Sequence, residues 1–354
     1  MLKGYKIMKM LIDDKAVIRA IKTSIKEVPF LKISKVLKEG NSPNPDIRIE
    51  VELNNRPITI LAEYKNSGQP RIARQTVYQI KDWLSNRQGD YGVFIAPYIS
   101  TDAAAICKNA GIGYIDLEGN CLLSFDTIYI HREGKPNPST QRREYRSLYS
   151  TKAERILRVL LSQPKKTWTT ESLAEAAQVS YGQVSNVKKL LANREWLTPN
   201  NIGIQLSKPD KLLDEWSEQY RFSRNINMEF YALTEVVDTE DQLARACRKK
   251  GIRYAFTAFS GASRIAPAVR YQRVNAYIDG NIEILIKSLD WKPVPSGANV
   301  NLLVPYDEGV FYDKREITGA FIATPVQIYL DLLNYRGRGQ EAADAVKKAI
   351  VQSW

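Results

Sequence analysis

Two stretches of alternating apolar and polar residues constrain the fold of this chain more than any other feature. They are PDIRIEVEL at 45–53 and PITILAEYK at 57–65, and a short Asn-Asn-Arg connection joins them. Alternation with a period of two is typical of β-strands, and so short a connection favours antiparallel pairing. In an antiparallel pair the start of one strand lies beside the end of the next. We therefore expect Asp46, Glu63 and Lys65 to lie close together.

This predicted cluster of two carboxylates and an ammonium has two interpretations. A charged end of an ordinary hairpin is one, because an acid two positions before a Lys occurs four times in the chain. Only the pair at 63 and 65 follows an apolar strand and a preceding Pro-Asp strand. The other interpretation is phosphodiester hydrolysis, in which carboxylates hold Mg²⁺ and the ammonium stabilises the transition state. The single histidine, His131, excludes a multi-histidine zinc site.

The region around this cluster resembles the PD-(D/E)xK superfamily, whose fold is restriction-endonuclease-like. The resemblance rests on Pro45-Asp46, the Glu-x-Lys motif at 63–65 and a predicted α-β-β-β-α-β-α-β order, and it covers about residues 10–130. It implies Asp46 and Glu63 as Mg²⁺ ligands and Lys65 as the catalytic ammonium. Some members add an acid from the opening helix and a Gln from the next helix, places held here by Glu27 and by Gln79 or Gln75. DNA cleavage and DNA binding alone both remain open, because a fold does not fix a function.

A second pattern, LAEAAQVSYGQVSNVKKLLANREWL from residue 173, resembles a winged helix-turn-helix. Apolar residues at helical spacing predict two packed helices with a turn at Val179, and Trp196 is expected to anchor a following wing with its tip at Pro199-Asn200-Asn201. The polar residues near the start of the second helix are then exposed and can reach bases and phosphates in the major groove of double-stranded DNA. These predicted DNA-binding residues are Ser180, Tyr181, Gln183, Ser185, Asn186, Lys188 and Lys189. A protein-interaction domain is the alternative interpretation.

Charge favours a polyanionic partner. The 354 residues carry a formal net charge of +12, and Lys and Arg replace counterions on nucleic acid. The predicted winged helix, 151–210, contains nine basic and five acidic residues. The Pro-rich segment 131–150 reads as a basic linker, in which Arg142 and Arg143 either contact phosphate or belong to a solvated tether.

The remaining residues, 211–354, mix helical and strand patterns and predict an α+β C-terminal domain. Gly261, Ser263 and Asp279 are faintly similar to the opening of a nucleotidyltransferase, but Asn275 and Tyr277 stand where acids are expected. We therefore interpret this region as a catalytically inactive relative of the nucleotidyltransferases or as an unrelated module. The predicted fold class is thus multidomain α/β and α+β, with a nuclease-like domain at 1–130.

Several longer phrases resemble AbiEi-type antitoxins of type IV toxin–antitoxin systems, including FSGASRIAPAVRYQRV and DLLNYRGRGQEAADAVKKAI. The resemblance implies a DNA-binding transcriptional regulator with a cognate toxin as partner. In simpler family members the winged helix leads the chain, whereas here it follows the nuclease-like region. Three cysteines without a CxxC pair, and no apolar run of roughly 20 residues, lead us to expect a cytoplasmic protein without a membrane span.

Overall fold

The computed structural model describes residues 14–26, 28–39, 44–85, 87, 89–136, 148–199, 203–335 and 337–354. The chain forms two compact units, which are residues 1–144 with 192–195, and residues 145–191 with 196–354. Each unit contains one seven-stranded mixed sheet, and the described residues form twelve α-helices in all. The predicted multidomain mixed α/β class is confirmed.

The first unit is a sheet with helices on both faces. Its strands follow chain order from β1 to β7; β3, β4 and β5 are parallel, and all other neighbours are antiparallel. The strands are β1 Leu31–Lys38, β2 Ile47–Leu53, β3 Arg56–Tyr64, β4 Tyr91–Ala96, β5 Gly113–Asp116, β6 Cys121–Phe125 and β7 Ile128–Arg132. The helices are α1 Asp14–Ile25, α2 Pro70–Leu84 and α3 Thr101–Asn109. One core cluster joins α1 to the sheet, and a second joins α2 and α3 to it.

The hairpin of β2 and β3 closes with a two-residue turn. Asn54 and Asn55 both have positive φ, 49° and 64°, the conformation that a tight hairpin of this twist requires and that Asn tolerates. This turn pairs Leu53 with Arg56 and, at the other end, Ile47 with Ala62. The predicted α-β-β-β-α-β-α-β order is confirmed through β5. Strands β6 and β7 were not predicted.

The second unit begins with three helices and a small wing. The helices are α4 Thr151–Ser162, α5 Thr170–Ala177 and α6 Tyr181–Asn193. Isolated β-bridges pair Trp168 with Ile204 and Leu197 with Leu206 beside these helices, and this region, 151–210, is the winged helix predicted from the sequence. Trp196, predicted to anchor the wing, is buried.

The rest of this unit surrounds the second sheet, whose strand order is β11-β8-β12-β10-β9-β14-β13. The strands are β8 Ile226–Tyr231, β9 Arg253–Phe256, β10 Val274–Asp279, β11 Lys292–Pro293, β12 Val300–Val304, β13 Arg315–Ile317 and β14 Ala320–Ile322. The helices are α7 Pro209–Gln219, α8 Val236–Lys250, α9 Ala258–Ala262, α10 Ile282–Leu289, α11 Pro325–Leu332 and α12 Arg338–Ser353, with short 3-10 turns at Phe222–Arg224 and Glu308–Phe311. A single cluster of buried apolar side chains extends from the winged helix through this sheet.

The described ends of the segment predicted as a basic linker, 131–150, belong to the two folded units. Strand β7 continues to Arg132, and Leu148 and Tyr149 are buried in the core of the second unit. Residues 137–147, including Arg142 and Arg143, lie outside the described residues. Within the described ranges, no helix has the length and apolar character needed to cross a bilayer.

Candidate functional site

The hairpin register brings Asp46 and Glu63 together. The main-chain N–H of Asp46 donates a hydrogen bond to Glu63 Oε2 at 3.2 Å. In return, Asp46 Oδ2 accepts a hydrogen bond of 3.1 Å from the main-chain N–H of Tyr64. Glu63 thus binds the main chain of Asp46, and Asp46 binds the main chain next to Glu63. These two contacts fix both side chains at the open end of the hairpin, where β2 begins and β3 ends.

Lys65 and Gln79 complete this acidic cluster. Glu63 Oε1 accepts a hydrogen bond from Lys65 Nζ at 2.5 Å and a longer one from Gln79 Nε2 at 3.4 Å. Parallel pairing holds the lysine in place, because its main-chain N–H donates to Ile95 O on β4. Helix α2 supplies Gln79, whereas the alternative candidate Gln75 is exposed. The structure thus gathers the four predicted catalytic residues, while Glu27 lies outside the described residues.

Burial sets the electrostatics of the cluster. Only 4% of Glu63 is exposed, and its pKa is raised, first by loss of hydration and further by the negative charge of Asp46. The hydrogen bond from Lys65 acts in the opposite direction and does not cancel this rise. Lys65 itself keeps 35% of its side chain exposed. Lys65 therefore offsets only part of the cost of burying the negative charge of Glu63.

The oxygen donors of this cluster suit a hard divalent cation. Mg²⁺ in proteins often takes one or two carboxylates and completes its shell with water and phosphate oxygens. Asp46 and Glu63 supply that number, and a cation there would offset the charge that raises the pKa of Glu63. No group of three or more His, Cys, Asp or Glu with metal-binding geometry occurs among the described residues. A cation here would thus complete its shell with water or with oxygens of the substrate.

A further buried carboxylate, Asp116 at the end of β5, was not predicted and has a different role. Its Oδ1 accepts hydrogen bonds from the main-chain N–H groups of Glu118 and Asn120 at 3.0 and 2.8 Å. Its Oδ2 accepts from Asn120 Nδ2 at 2.8 Å and from the main-chain N–H of Ile99 at 3.4 Å. Asp116 therefore fixes the turn into β6. The signal in the sequence that could have indicated this role is the turn pattern Gly119-Asn120, shortly after Asp116.

The second candidate site is helix α6 of the winged helix. Val184, Val187, Leu190 and Leu191 are buried, as the helical spacing predicts. The opposite face is exposed or partly exposed and presents the predicted DNA-binding residues Ser180, Tyr181, Gln183, Ser185, Asn186, Lys188 and Lys189. Tyr181 is the most apolar of them and is 59% exposed. The helix thus separates an apolar inner face from a polar outer face.

Two caps orient this motif. Thr169 and Ser172 form a capping box that begins α5, with Thr169 Oγ1 accepting from the main-chain N–H of Ser172 at 3.0 Å. Ser180 Oγ accepts from the main-chain N–H of Gln183 at 3.3 Å, so this predicted DNA contact also caps α6. Gln178, between the helices, has a φ of 53° and makes the sharp turn.

An open groove of about 730 Å³ lies beside the start of α6. Lys152, Ser180, Tyr181 and Gln183 line it, but so do Glu171 and Glu175 of α5. These acids would repel a phosphate, whereas Lys152, Lys188 and Lys189 would attract one. The predicted wing tip at Asn200 and Asn201 lies outside the described residues.

The C-terminal residues singled out in the sequence do not form a metal site. Asp279 pairs with Arg253 at 2.5 Å, and Asn275 and Tyr277 are buried. The structure instead contains a buried polar network that the sequence analysis missed. At its centre, fully buried Asp331 accepts hydrogen bonds from Tyr220 at 2.7 Å, Tyr277 at 2.8 Å, Thr257 at 2.5 Å and Gln327 at 2.9 Å. Burial raises the pKa of Asp331 to about 6.

This network connects to the winged helix through α4. Gln327 Oε1 accepts hydrogen bonds from Arg158 Nε at 2.9 Å and Nη2 at 2.7 Å. Arg155, one turn earlier, makes a bidentate ion pair with Asp307, with both N–O distances 2.8 Å. The first helix of the winged helix is thus joined to the C-terminal sheet by buried charged contacts.

One family model matches part of the second unit. Residues 205–352 match the family model described as "Transcriptional regulator, AbiEi antitoxin, Type IV TA system". The predicted resemblance to AbiEi-type antitoxins is confirmed for this part of the chain. No curated protein matches the sequence.

One solved structure, described as "Structure of EndoMS in apo form", shows a distant likeness. It is 13% identical, the alignment covers 32% of this chain and 47% of that chain, and the TM-score is 0.22. The chain thus spans less than half of that protein, and at this TM-score the likeness adds nothing to the strand order described above.

Proposed function

We propose that this protein is an antitoxin-type transcriptional regulator that binds double-stranded DNA through α6. The observation that carries the proposal is the division of this helix into a buried apolar face and an outer face with Gln183, Ser185, Lys188 and Lys189. Short polar side chains near the start of such a helix are suited to base edges, and lysines further along are suited to phosphates.

The family match gives this DNA binding a biological setting. Antitoxins of the matched family are described as transcriptional regulators of type IV systems. We therefore propose that the protein represses its own operon, has a cognate toxin as partner and acts in the cytoplasm. The three free cysteines, all buried, are compatible with a reducing compartment.

A salt titration of DNA binding tests this proposal. Fluorescence anisotropy with duplex DNA from upstream of the gene should show an affinity that falls steeply as salt rises, because binding releases counterions. Replacing Lys188 and Lys189 with Ala should weaken binding and reduce the salt slope by about 2. The matched control is Lys249→Ala with Lys250→Ala, an adjacent exposed pair at the end of α8. Binding that is unaffected by salt and by the Lys188/Lys189 change would contradict the proposal.

Mg²⁺-dependent DNA cleavage is the second candidate function, and the cluster at Asp46, Glu63, Lys65 and Gln79 supports it. Glu63 and Asp46 would hold the cation, which supplies positive charge to the phosphate. Lys65 lies at hydrogen-bonding distance from Glu63 and is partly exposed, so its ammonium is available to a phosphodiester. Gln79 would keep Glu63 Oε1 in position.

Plasmid cleavage separates this candidate from binding alone. With Mg²⁺, the wild-type protein would nick supercoiled plasmid, and Lys65→Ala would reduce the rate by about 100-fold or more. Lys81→Ala, an exposed lysine on α2, is the matched control. Intact plasmid with wild-type protein, under conditions where the same protein binds DNA, would reject the nuclease and leave the regulator.

A further inference from the structure

A small basic pocket lies in the second unit, away from α6 in sequence and unused by the proposed function. Its volume is about 220 Å³, and its lining comes from two distant segments of the chain. Arg270, Tyr271 and Arg273 belong to the first segment, and Tyr335 and Arg338 to the second. Both segments lie within the phrases whose sequence resembled the antitoxin family.

The amide of Asn275 joins the two segments. Tyr335 OH donates to Asn275 Oδ1 at 2.6 Å, and Asn275 Nδ2 donates to Arg273 O at 3.0 Å. Asn275 is itself fully buried on β10. The fold therefore fixes the position of Tyr335 relative to the main chain of Arg273.

The lining of the pocket contains three arginines and no acid, and the nearby carboxylate of Glu229 acts on Tyr335 from outside it. No ion pair to Asp or Glu is made by Arg270, Arg273 or Arg338 within the described part of the chain, and no acid lines the pocket. Six other described arginines of this unit do pair with carboxylates: Arg155, Arg224, Arg248, Arg253, Arg264 and Arg315. The acid nearest to Tyr271 is Glu240, which already pairs with Arg264 at 2.7 Å.

Each pocket arginine retains donors for an anion. Arg338 uses Nη1 on the main-chain oxygen of Arg270 at 3.3 Å, and Arg273 uses Nε on Ala298 O at 3.1 Å. A guanidinium carries five N–H donors, so most of them remain for phosphate oxygens. Arg338 is also the first residue of the 16-residue helix α12, whose N-terminal end no side chain caps. This end adds partial positive charge to the same place.

Aromatic rings form the apolar wall. Phe259 and Tyr335 contact each other edge to face, with ring centroids 5.2 Å apart, and both are partly exposed with Tyr271. Such rings stack with bases of any sequence. The volume is below the roughly 300–1,000 Å³ of most small-molecule sites, which suits a phosphate with one ring system.

We propose that this pocket binds a nucleoside phosphate, with the phosphate held by Arg270, Arg273 and Arg338 and the base against the aromatic wall. A free nucleotide and the end of a single strand of nucleic acid present the same chemistry. The site would make the second unit a receptor for a nucleotide signal in addition to a DNA reader.

Isothermal titration calorimetry of the full chain tests this site. The probes are AMP, GMP, inorganic phosphate and a 5′-phosphorylated tetrathymidylate. Nucleotides should bind about tenfold more tightly than inorganic phosphate because only they use the aromatic wall. Arg270→Gln and Arg338→Gln should each weaken nucleotide binding by about tenfold. Arg245→Gln, an exposed arginine on α8, is the matched control and should bind as wild type.

The outcomes are distinct. Mononucleotide binding that the two arginine changes weaken supports a free nucleotide as ligand, and binding of the tetranucleotide alone supports a nucleic-acid end. No binding of any probe at millimolar concentration, equal affinity for inorganic phosphate, or arginine variants that bind as wild type would overturn the proposal. Thermal melting of each variant verifies that it is folded.

Discussion

Asp46 donates its main-chain N–H to the carboxylate of Glu63 at 3.2 Å, although the two residues are 17 positions apart. The two-residue turn at Asn54 and Asn55 fixes this contact, because it sets the register of the whole hairpin. A shift of one residue would place Glu63 on the opposite face of the sheet. The acidic cluster therefore depends on the turn as much as on its own side chains.

Addition of Mg²⁺ should raise the melting temperature of the wild-type protein, because a cation that binds only the folded site stabilises it. Asp46→Asn should remove this increase, since it removes one of two carboxylate ligands. Asp90→Asn, an acid before β4, serves as control and should keep it. An increase of equal size in all three proteins would show that Mg²⁺ binds elsewhere.

The stability of Glu63→Gln relative to wild type should improve as pH rises from 4 to 7. The folded state raises the pKa of Glu63, so wild type loses stability as this carboxyl ionises, whereas the amide does not titrate. The comparison is made across pH because the amide also directs an N–H group at Asp46 N–H or at Lys65, a loss that does not change with pH. Chemical denaturation of the two proteins at several pH values measures the difference. A difference that stays constant with pH would contradict the raised pKa of Glu63.

Asp331 should make the stability of the second unit depend on pH. Its folded pKa is about 6 against an ordinary 3.8. Between pH 4 and 6 this carboxyl is therefore mostly ionised in the unfolded chain and mostly protonated in the folded chain. The contribution to stability is complete below pH 3.8 and is lost as pH rises towards 6, by about 3 kcal/mol. All described side chains that bind the carboxylate are neutral: Tyr220, Tyr277, Thr257 and Gln327.

Denaturant unfolding of wild type and Asp331→Asn at several pH values measures this effect. The stability of Asp331→Asn relative to wild type should improve by roughly 2.4 kcal/mol between pH 4 and 7, because the amide does not titrate. A difference between the two proteins that stays constant with pH would show that Asp331 keeps an ordinary pKa.

Local patterns predicted the elements of both sites. Alternation and the Asn-Asn turn predicted the hairpin that holds Asp46 and Glu63, and helical spacing predicted the buried face of α6 at Val184 and Val187. These features depend on residues close together in the sequence, so a single sequence is enough to predict them. Strands β6 and β7 have only five residues each, which is too short for a period of two to be distinguished reliably, and they were not predicted.

Contacts between distant residues could not be predicted in this way. Arg158 binds Gln327 across 169 positions, and Arg155 binds Asp307 across 152. An arginine on an amphipathic helix is ordinarily expected at the surface, yet both are buried here. The pocket at Arg270 and Arg338 could not be predicted for the same reason, because its two halves meet only in the folded chain.

Selection of DNA from a random duplex pool tests the central proposal, sequence-dependent DNA binding by α6, most directly. After several rounds, the wild-type full chain should enrich one common motif. Gln183→Ala should relax the preference at one or two positions, each contact being worth about 1–3 kcal/mol, while Lys249→Ala should enrich the wild-type motif. A pool that stays random with wild-type protein, or a motif that Gln183→Ala leaves unchanged, would contradict the account.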